Sequence, residues 1–315
     1  MNLRPLGRSG IAIAPLMLGG NVFGWTTDQR TSSAILDAFV DAGFNAVDTA
    51  DSYSRWAPGH VGGESEMVIG RWLKESGKRD KVVIATKVGA DMGEGKCVRK
   101  DYILRACEAS LRRLGIETID LYQTHFDDEV TPVEETLAAY ATLIGDGKVR
   151  AVGASNLSPA RLKASFAASR KGNLPRYESL QPLYNLVDRK GFESDYAPIC
   201  RDEGLGVIPY YGLAAGFLTG KYRSADEAAA NPARGAKVKG YFDARGLAVL
   251  AALDNVAKRH DATSAQIALA WLIGRPPVTA PIVSVTSVAQ LNDIIKAPRL
   301  KLSADDMATL DAASR

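Results

Sequence analysis

Residues 44–50, FNAVDTA, run directly into DSY at 51–53, and how this stretch is read decides the fold. A run short and apolar enough to be a β-strand ends at an acid, Asp48, and the turn after it carries a phenol, Tyr53. The same pattern recurs downstream: VVIATKV (82–88) carries Lys87 near its end, and IDLYQTH (119–125) finishes on His125. Five more runs resemble these: LMLGG (16–20), VRAVGASN (149–156), ESLQPLYN (178–185), LGVIPYYG (205–212) and APIVSVT (280–286). Their apolar character is nearly continuous rather than alternating, as a parallel sheet requires when helices cover its outer side and side chains fill its inner side. Eight such strands are the number that closes a barrel.

Helix patterns fill the intervals. SSAILDAFVDAG (32–43) sets Ile35, Ala38, Phe39 and Ala42 on one face and stops at Gly43. The grammar repeats in SEMVIGRWLKESG (65–77), in YILRACEASLRRLG (102–115) and in TPVEETLAAYATLIGDG (131–147), where Thr131 and Pro132 mark a helix start. The expectation is an α/β fold, a (β/α)8 TIM barrel formed as one domain over residues 1–315. Leu3 to Leu6 and Ile11 to Ile13, on either side of Gly7 to Gly10, read as a hairpin that plugs the barrel floor. Helical patterns at 243–259, 263–274 and 303–313 exceed what a minimal barrel needs. A long polar insertion, 221–242, follows the seventh strand, and loops of that length in compact domains are usually functional.

Composition narrows the function classes. With 39 Lys and Arg against 36 Asp and Glu, the net charge of +3 is too small to argue for nucleic acid or a membrane surface, which leaves small molecules as the expected partners. No apolar run approaches the roughly 20 residues of a membrane span, and MNLRPLGRSGIAIAP lacks the architecture of a secretion signal. Cys97, Cys107 and Cys200 are odd in number and lack metal-ligand spacing, as unpaired thiols in a reducing compartment would be. The expected location is the cytoplasm.

In a barrel of this kind the strands' C-terminal ends share one rim, so Asp48, Tyr53, Lys87 and His125 meet. An acid, a phenol, an amine and an imidazole together suit the transfer of a proton to or from a carbonyl oxygen. Tyr53 is the natural donor; Lys87 is expected to lower its pKa, Asp48 to hold Lys87, and His125 to orient the substrate oxygen. Trp25, Trp56 and Phe126, each just past a strand end, are candidate walls of an apolar substrate pocket. No G-x-G-x-x-G follows a strand, so a dinucleotide would have to be held by loops and side chains.

These motifs resemble the aldo-keto reductases over nearly the whole length: DTADSY, ATK, QTH, GASN, QPLYN, GFLTGKY and APIVSVTSVAQLND. The resemblance implies that Asp48, Tyr53, Lys87 and His125 form a catalytic tetrad with Tyr53 as general acid, and that NADP(H) lies extended across the barrel mouth, with NAD(H) not excluded. It assigns Ser155, Asn156 and Gln181 to the carboxamide and Tyr210 to stacking on the nicotinamide. It assigns Gly212, Leu213, Gly216 and Lys221 to the pyrophosphate, and Ser284, Thr286, Gln290 and Asp293 to the adenosine and its phosphate; Asn21 joins the cofactor contacts. Two departures stand out. The chain has Tyr210, Tyr211, Gly212, Leu213 where the family often has Tyr-Ser-Pro-Leu, and Thr286 where many members have an Arg near the 2′-phosphate. Arg234, Lys237 and Lys239 in the insertion are alternative sources of positive charge.

Three rival readings share these residues. One is an NAD(P)-dependent sugar or alcohol dehydrogenase running in reverse; another is a nucleotide-sensing regulatory subunit like the potassium-channel β subunits. The third is a metal-dependent hydrolase using His125, Asp127 and Asp128, disfavoured because no second His sits in a strand-end motif.

Overall fold

The computed structural model describes residues 2–229 and 235–315. A hairpin, β1 (Arg4–Pro5) and β2 (Ala12–Ile13), precedes the strands β3 (Met17–Gly19), β4 (Ala46–Asp48), β5 (Val83–Val88), β6 (Ile119–Thr124), β7 (Val149–Ser155), β8 (Tyr177–Gln181), β9 (Gly206–Val207) and β10 (Ile282–Val283). These last eight are parallel and hydrogen-bonded in the order β10-β3-β4-β5-β6-β7-β8-β9. The sheet closes into a (β/α)8 barrel where Thr279 and Ala280 donate to the Val207 carbonyl and Ile282 donates to that of Pro209.

Helices α1 (Gln29–Asp41), α2 (Glu64–Ser76), α3 (Lys100–Leu114), α4 (Val133–Gly145), α5 (Pro159–Gly172) and α6 (Ala197–Glu203) alternate with the strands from β3 to β9. Their ends follow local chemistry. Ser158 accepts from the Arg161 amide with Pro159 opening α5, and Gly77 and Gly115 close α2 and α3 in left-handed conformations. The short α7 (Ala225–Ala229) and α8 (Gly235–Lys239) lie in the insertion; α9 (Ala244–His260) and α10 (Ser264–Ile273) precede β10, and α11 (Val288–Ile294) and α12 (Ala304–Ser314) follow it.

Each strand alternates between the two faces. Val47, Ile84, Tyr122, Val152 and Leu180 point outward into one large apolar layer shared with the helices. Ala46, Ala85, Leu121 and Ala151 point inward and meet Leu6, Ile11 and Ile13 of the hairpin, which therefore seals the floor. Two residues further along four of these strands, the inward positions become Asp48, Lys87, Gln123 and Gly153. The interior is thus apolar at the bottom and polar at the top, and this gradient places the site.

The hairpin approaches the floor closely. Gly7 has φ +60°, and a Cβ there would lie 2.1 Å from the Glu178 carbonyl oxygen, whereas Gly10, at φ +73°, has open space beside it. Gly7→Ala is expected to cost about 2–4 kcal/mol, combining left-handed strain with overpacking, and Gly10→Ala only about 1–2 kcal/mol. Equal losses in denaturant melts of the two variants would contradict this placement of the hairpin.

Four boundaries differ from expectation. β8 stops at Gln181 and β9 at Val207, short of the runs to 185 and 212, because Pro182 and Pro209 cannot donate to a ladder. Leu183 and Tyr210 still form an isolated bridge, the Tyr210 amide donating to the Pro182 carbonyl. β10 covers only two residues of 280–286. Helix α4 begins one residue later than Thr131 and Pro132 suggest: Pro132 is its cap, and the Thr131 hydroxyl donates to Asp128 instead.

At the end of the insertion, Tyr241 and Phe242 pack against Phe217 at 5.4 and 5.1 Å between ring centres, and the Tyr241 hydroxyl donates to Asp188. Arg234 lies outside the described residues. Cys97, Cys107 and Cys200 are buried and unpaired. Among the described residues no helix is long and apolar enough to cross a membrane.

Candidate active site

Asp48 at the end of β4 and Lys87 in β5 form an ion pair at 2.6 Å, with side chains 1% and 0% exposed. Lys87 has three protons and three acceptors: Asp48 Oδ2, the Thr49 carbonyl at 2.8 Å and the Tyr53 hydroxyl at 2.7 Å. Tyr53 in turn donates to Asp48 Oδ2 at 3.1 Å, and the ammonium also lies 4.4 Å from the centre of its ring. His125 follows β6, its ring edge-on to Tyr53 at 6.0 Å between centres. Its Nδ1 meets the Ser52 hydroxyl at 3.4 Å, and its Nε2 has no partner among the described residues.

Burial sets the charge states. It pushes the Tyr53 phenol well above its ordinary value, and the adjacent Asp48 carboxylate adds to the effect. The net shift is upward even with the Lys87 ammonium in contact, so in this state Tyr53 is a protonated acid. Burial also lowers Lys87, opposed by Asp48, and burial with the nearby Lys87 charge holds His125 well below the usual imidazole range, hence neutral.

The aromatic candidates converge on the same place. Trp25 packs edge-on against Trp56 at 5.5 Å, Trp56 meets the Tyr53 ring at 5.9 Å, and Phe126 stacks on His125 at 4.6 Å. Four rings, Trp25, Trp56, His125 and Phe126, therefore wall the space around the phenol. Asp127 and Asp128 turn away from it: Asp127 pairs with Arg161, and Asp128 accepts from Thr131 and the Val98 amide, leaving His125 without the carboxylates a metal site would need.

Beside the tetrad, Ser155 and Gln181 face each other in register on β7 and β8, and the Ser155 hydroxyl donates to the Gln181 carbonyl. Asn156 adopts φ 51° and donates to the His125 carbonyl and to Ser155, while its own oxygen accepts from the Tyr210 hydroxyl at 3.2 Å. Tyr211, Ala214, Ala215 and Gly216 all have positive φ, a run of strained backbone at the rim. Lys221 lies over the Tyr222 ring, and Lys237 lies 3.7 Å from the centre of the Tyr211 ring, whereas Lys239 is exposed. Across the mouth, Ser284 donates to Asn21 at 2.5 Å and Gln290 accepts from both Thr286 groups. Asp293 is engaged elsewhere, accepting from Thr263 and Gln266 of the α10 cap.

Sequence reasoning missed Gln123, although a glutamine inside the apolar run IDLYQTH was the available signal. Its amide donates to Asp48 Oδ1 at 3.2 Å, next to a 2.9 Å bond from Gln181. It also missed the polar layer behind the barrel wall. There Glu66 accepts from Thr86 and Arg113, and Asp51, with one oxygen unpartnered among the described residues, is pushed up to about 8 by burial and by Glu66.

The family model described as "Aldo/keto reductase family" matches residues 15–315. The chain belongs to the aldo-keto reductase family. Among its relatives are an uncharacterized oxidoreductase, YrpG, of Bacillus subtilis, 34% identical over 97% of this chain and 94% of that protein, and the L-glyceraldehyde 3-phosphate reductase of Escherichia coli, 32% identical over 99% and 92%. Protein tas of Escherichia coli is 30% identical over 99% of this chain and 97% of its own length. Aldo-keto reductases are oxidoreductases that act on carbonyl compounds with nicotinamide cofactors, and this chain is accordingly an NAD(P)H-dependent oxidoreductase.

The residues at the rim suit such a cofactor. A carboxamide needs both donors and acceptors, which Ser155, Asn156 and Gln181 supply, and Gln181 Oε1 accepts no hydrogen bond from the described residues. The reductase thus has a dinucleotide-compatible rim without a Rossmann turn.

Proposed function

We propose that the protein reduces an aldehyde or ketone to an alcohol, with Tyr53 delivering the proton and NADPH as the preferred cofactor. The observation that carries this reading is the chain of contacts from Asp48 through Lys87 to the Tyr53 hydroxyl, at 2.6 and 2.7 Å, opening beneath an aromatic wall. When bound, the nicotinamide supplies the hydride. Ser155, Asn156 and Gln181 would hold its carboxamide and Tyr210 its ring. Gly212, Leu213, Gly216 and Lys221 would hold the pyrophosphate, and Asn21, Ser284, Thr286 and Gln290 the adenosine end. Asp293, which also braces the α10 cap, would join them.

The substrate carbonyl sits between two donors. His125 is neutral, and with the Ser52 hydroxyl donating to Nδ1 its proton would sit on Nε2, from which it orients the oxygen. Tyr53 gives its proton to that oxygen as negative charge develops there. An alkoxide is far more basic than a phenolate, so the transfer runs downhill even from a phenol with a raised pKa. The phenolate left behind is compensated by the Lys87 ammonium already in contact with it, and the charge stabilisation needs no reorganisation. Trp25, Trp56 and Phe126 keep water away from this exchange and favour an apolar or compact substrate.

Titrating the protein with NADPH and NADH side by side, then following cofactor consumption over a carbonyl panel that includes L-glyceraldehyde 3-phosphate, tests the proposal. Tighter binding of NADPH and turnover of at least one aldehyde or ketone are expected. Equal affinities would remove the cofactor preference, and turnover in neither direction across the panel would remove the activity.

A further inference from the structure

We propose that Gln123 is a positioning residue for proton delivery: it fixes the orientation of the Asp48 carboxylate and thereby sets how strongly that charge bears on Tyr53. The inference rests on the reading of Tyr53 as the acid.

Gln123 is fully buried inside the barrel, in register with Lys87 on one side and Gly153 on the other. It does not bond to Lys87, whose three protons are committed. Its Nε2 reaches past Lys87 to Asp48 Oδ1 at 3.2 Å, and its Oε1 accepts from Gln181 Nε2 at 3.2 Å, while that same nitrogen donates to Asp48 Oδ1 at 2.9 Å. Asp48 therefore has a division of labour: Oδ2 serves Lys87 and Tyr53, and Oδ1 is held by two amides. The terminal torsion of an aspartate is broad and roughly two-fold, so donors on one oxygen are what keep the other aimed at its partners. The barrel makes room for this arrangement, since a Cβ on Gly153 would lie 3.1 Å from Gln123 Cγ.

Removing the Gln123 amide has two consequences. Asp48 Oδ1 loses one of its two donors and Gln181 Nε2 loses one of its two acceptors, so the carboxylate is less firmly oriented. Its charge, shared over fewer donors, weighs more on the phenol and pushes Tyr53 further up. Alcohol oxidation requires the phenolate, so its rate rises with pH through the apparent Tyr53 pKa, and the variant's inflection moves to higher pH.

The test uses the full chain with Gln123→Met, which keeps length but loses both bonds, and Gln123→Glu, which keeps the acceptor and donates only when protonated. For Gln123→Met, kcat is expected to fall on the order of 10- to 100-fold, the worth of one hydrogen bond to a charged group, with KM nearly unchanged. The inflection of the oxidation profile should move upward. In the cofactor-free protein, the ultraviolet ionisation step that Tyr53→Phe abolishes should move the same way. Gln123→Glu should show a deficit that narrows as pH falls and its carboxyl gains a proton. A folded Gln123→Met with unchanged kcat, a lowered kcat without a shift of the inflection, or a Gln123→Glu deficit independent of pH would each overturn the proposal. Full turnover by Tyr53→Phe would instead remove the reading on which it rests.

Discussion

Tyr53→Phe is expected to lower carbonyl reduction by about 10²- to 10⁴-fold, the usual contribution of a positioned general acid, while cofactor affinity stays at the parent value. The ring remains, and with it the contacts to Trp56 and His125 at 5.9 and 6.0 Å. Only the hydroxyl is lost. Lys87 keeps Asp48 and the Thr49 carbonyl, so stability should change by no more than about 1–2 kcal/mol. The sign of the pH dependence follows from the raised phenol: its acid form persists through neutral and mildly alkaline pH, so the parent's reduction should not fall with pH there on account of Tyr53. Binding titration and steady-state kinetics on the same preparation separate the two effects. Undiminished turnover with intact cofactor binding would sink the assignment of Tyr53.

Lys87→Met should damage both stability and activity, for different reasons. Asp48 is 1% exposed, and losing the ammonium leaves a buried carboxylate supported only by the amides of Gln123 and Gln181 and by Tyr53. Breaking a buried pair in this way costs about 3–5 kcal/mol, because the remaining charge is neither paired nor solvated. The phenolate formed during reduction also loses its counter-charge. Combining Lys87→Met with Asp48→Asn removes the orphaned charge and should recover much of the stability, yet activity should stay low because nothing compensates Tyr53 after it gives up its proton. Denaturant melts of the two singles and the double form a cycle that isolates the coupling. Additive stability losses, or a double variant that regains turnover, would contradict the account.

Gln123 differs from these two because its effect runs through another residue. Loss of Tyr53 removes the proton and loss of Lys87 removes its counter-charge, whereas loss of Gln123 changes the aim and weight of the carboxylate between them. The pH inflection therefore distinguishes it.

How much of this was legible in the chain varied with the range of the interaction responsible. Strand and helix positions were readable because they depend on local patterning. VVIATKV and IDLYQTH became β5 and β6 to within a residue, and 243–259, 263–274 and 303–313 became α9, α10 and α12 shifted by a residue or so. The misses were equally local in origin: Pro182 and Pro209 shortened two strands, and Asp128 drew Thr131 away from the cap of α4.

By itself, the sequence determined the alternation of strands and helices, the barrel count and the four strand-end residues, because hydrophobic period and strand length are properties of neighbours along the chain. Only the tertiary structure decided how those four are charged and held. Burial raises the Tyr53 phenol and the Asp48 carboxylate adds to the effect, and the depth of that burial cannot be read from spacing. Gln123 and Gln181 reach Asp48 from strands far along the chain, because closing the barrel sets which inward-facing groups share one small buried volume. In that volume every polar atom needs a partner, and the partners come from whichever strands the closed sheet brings within reach.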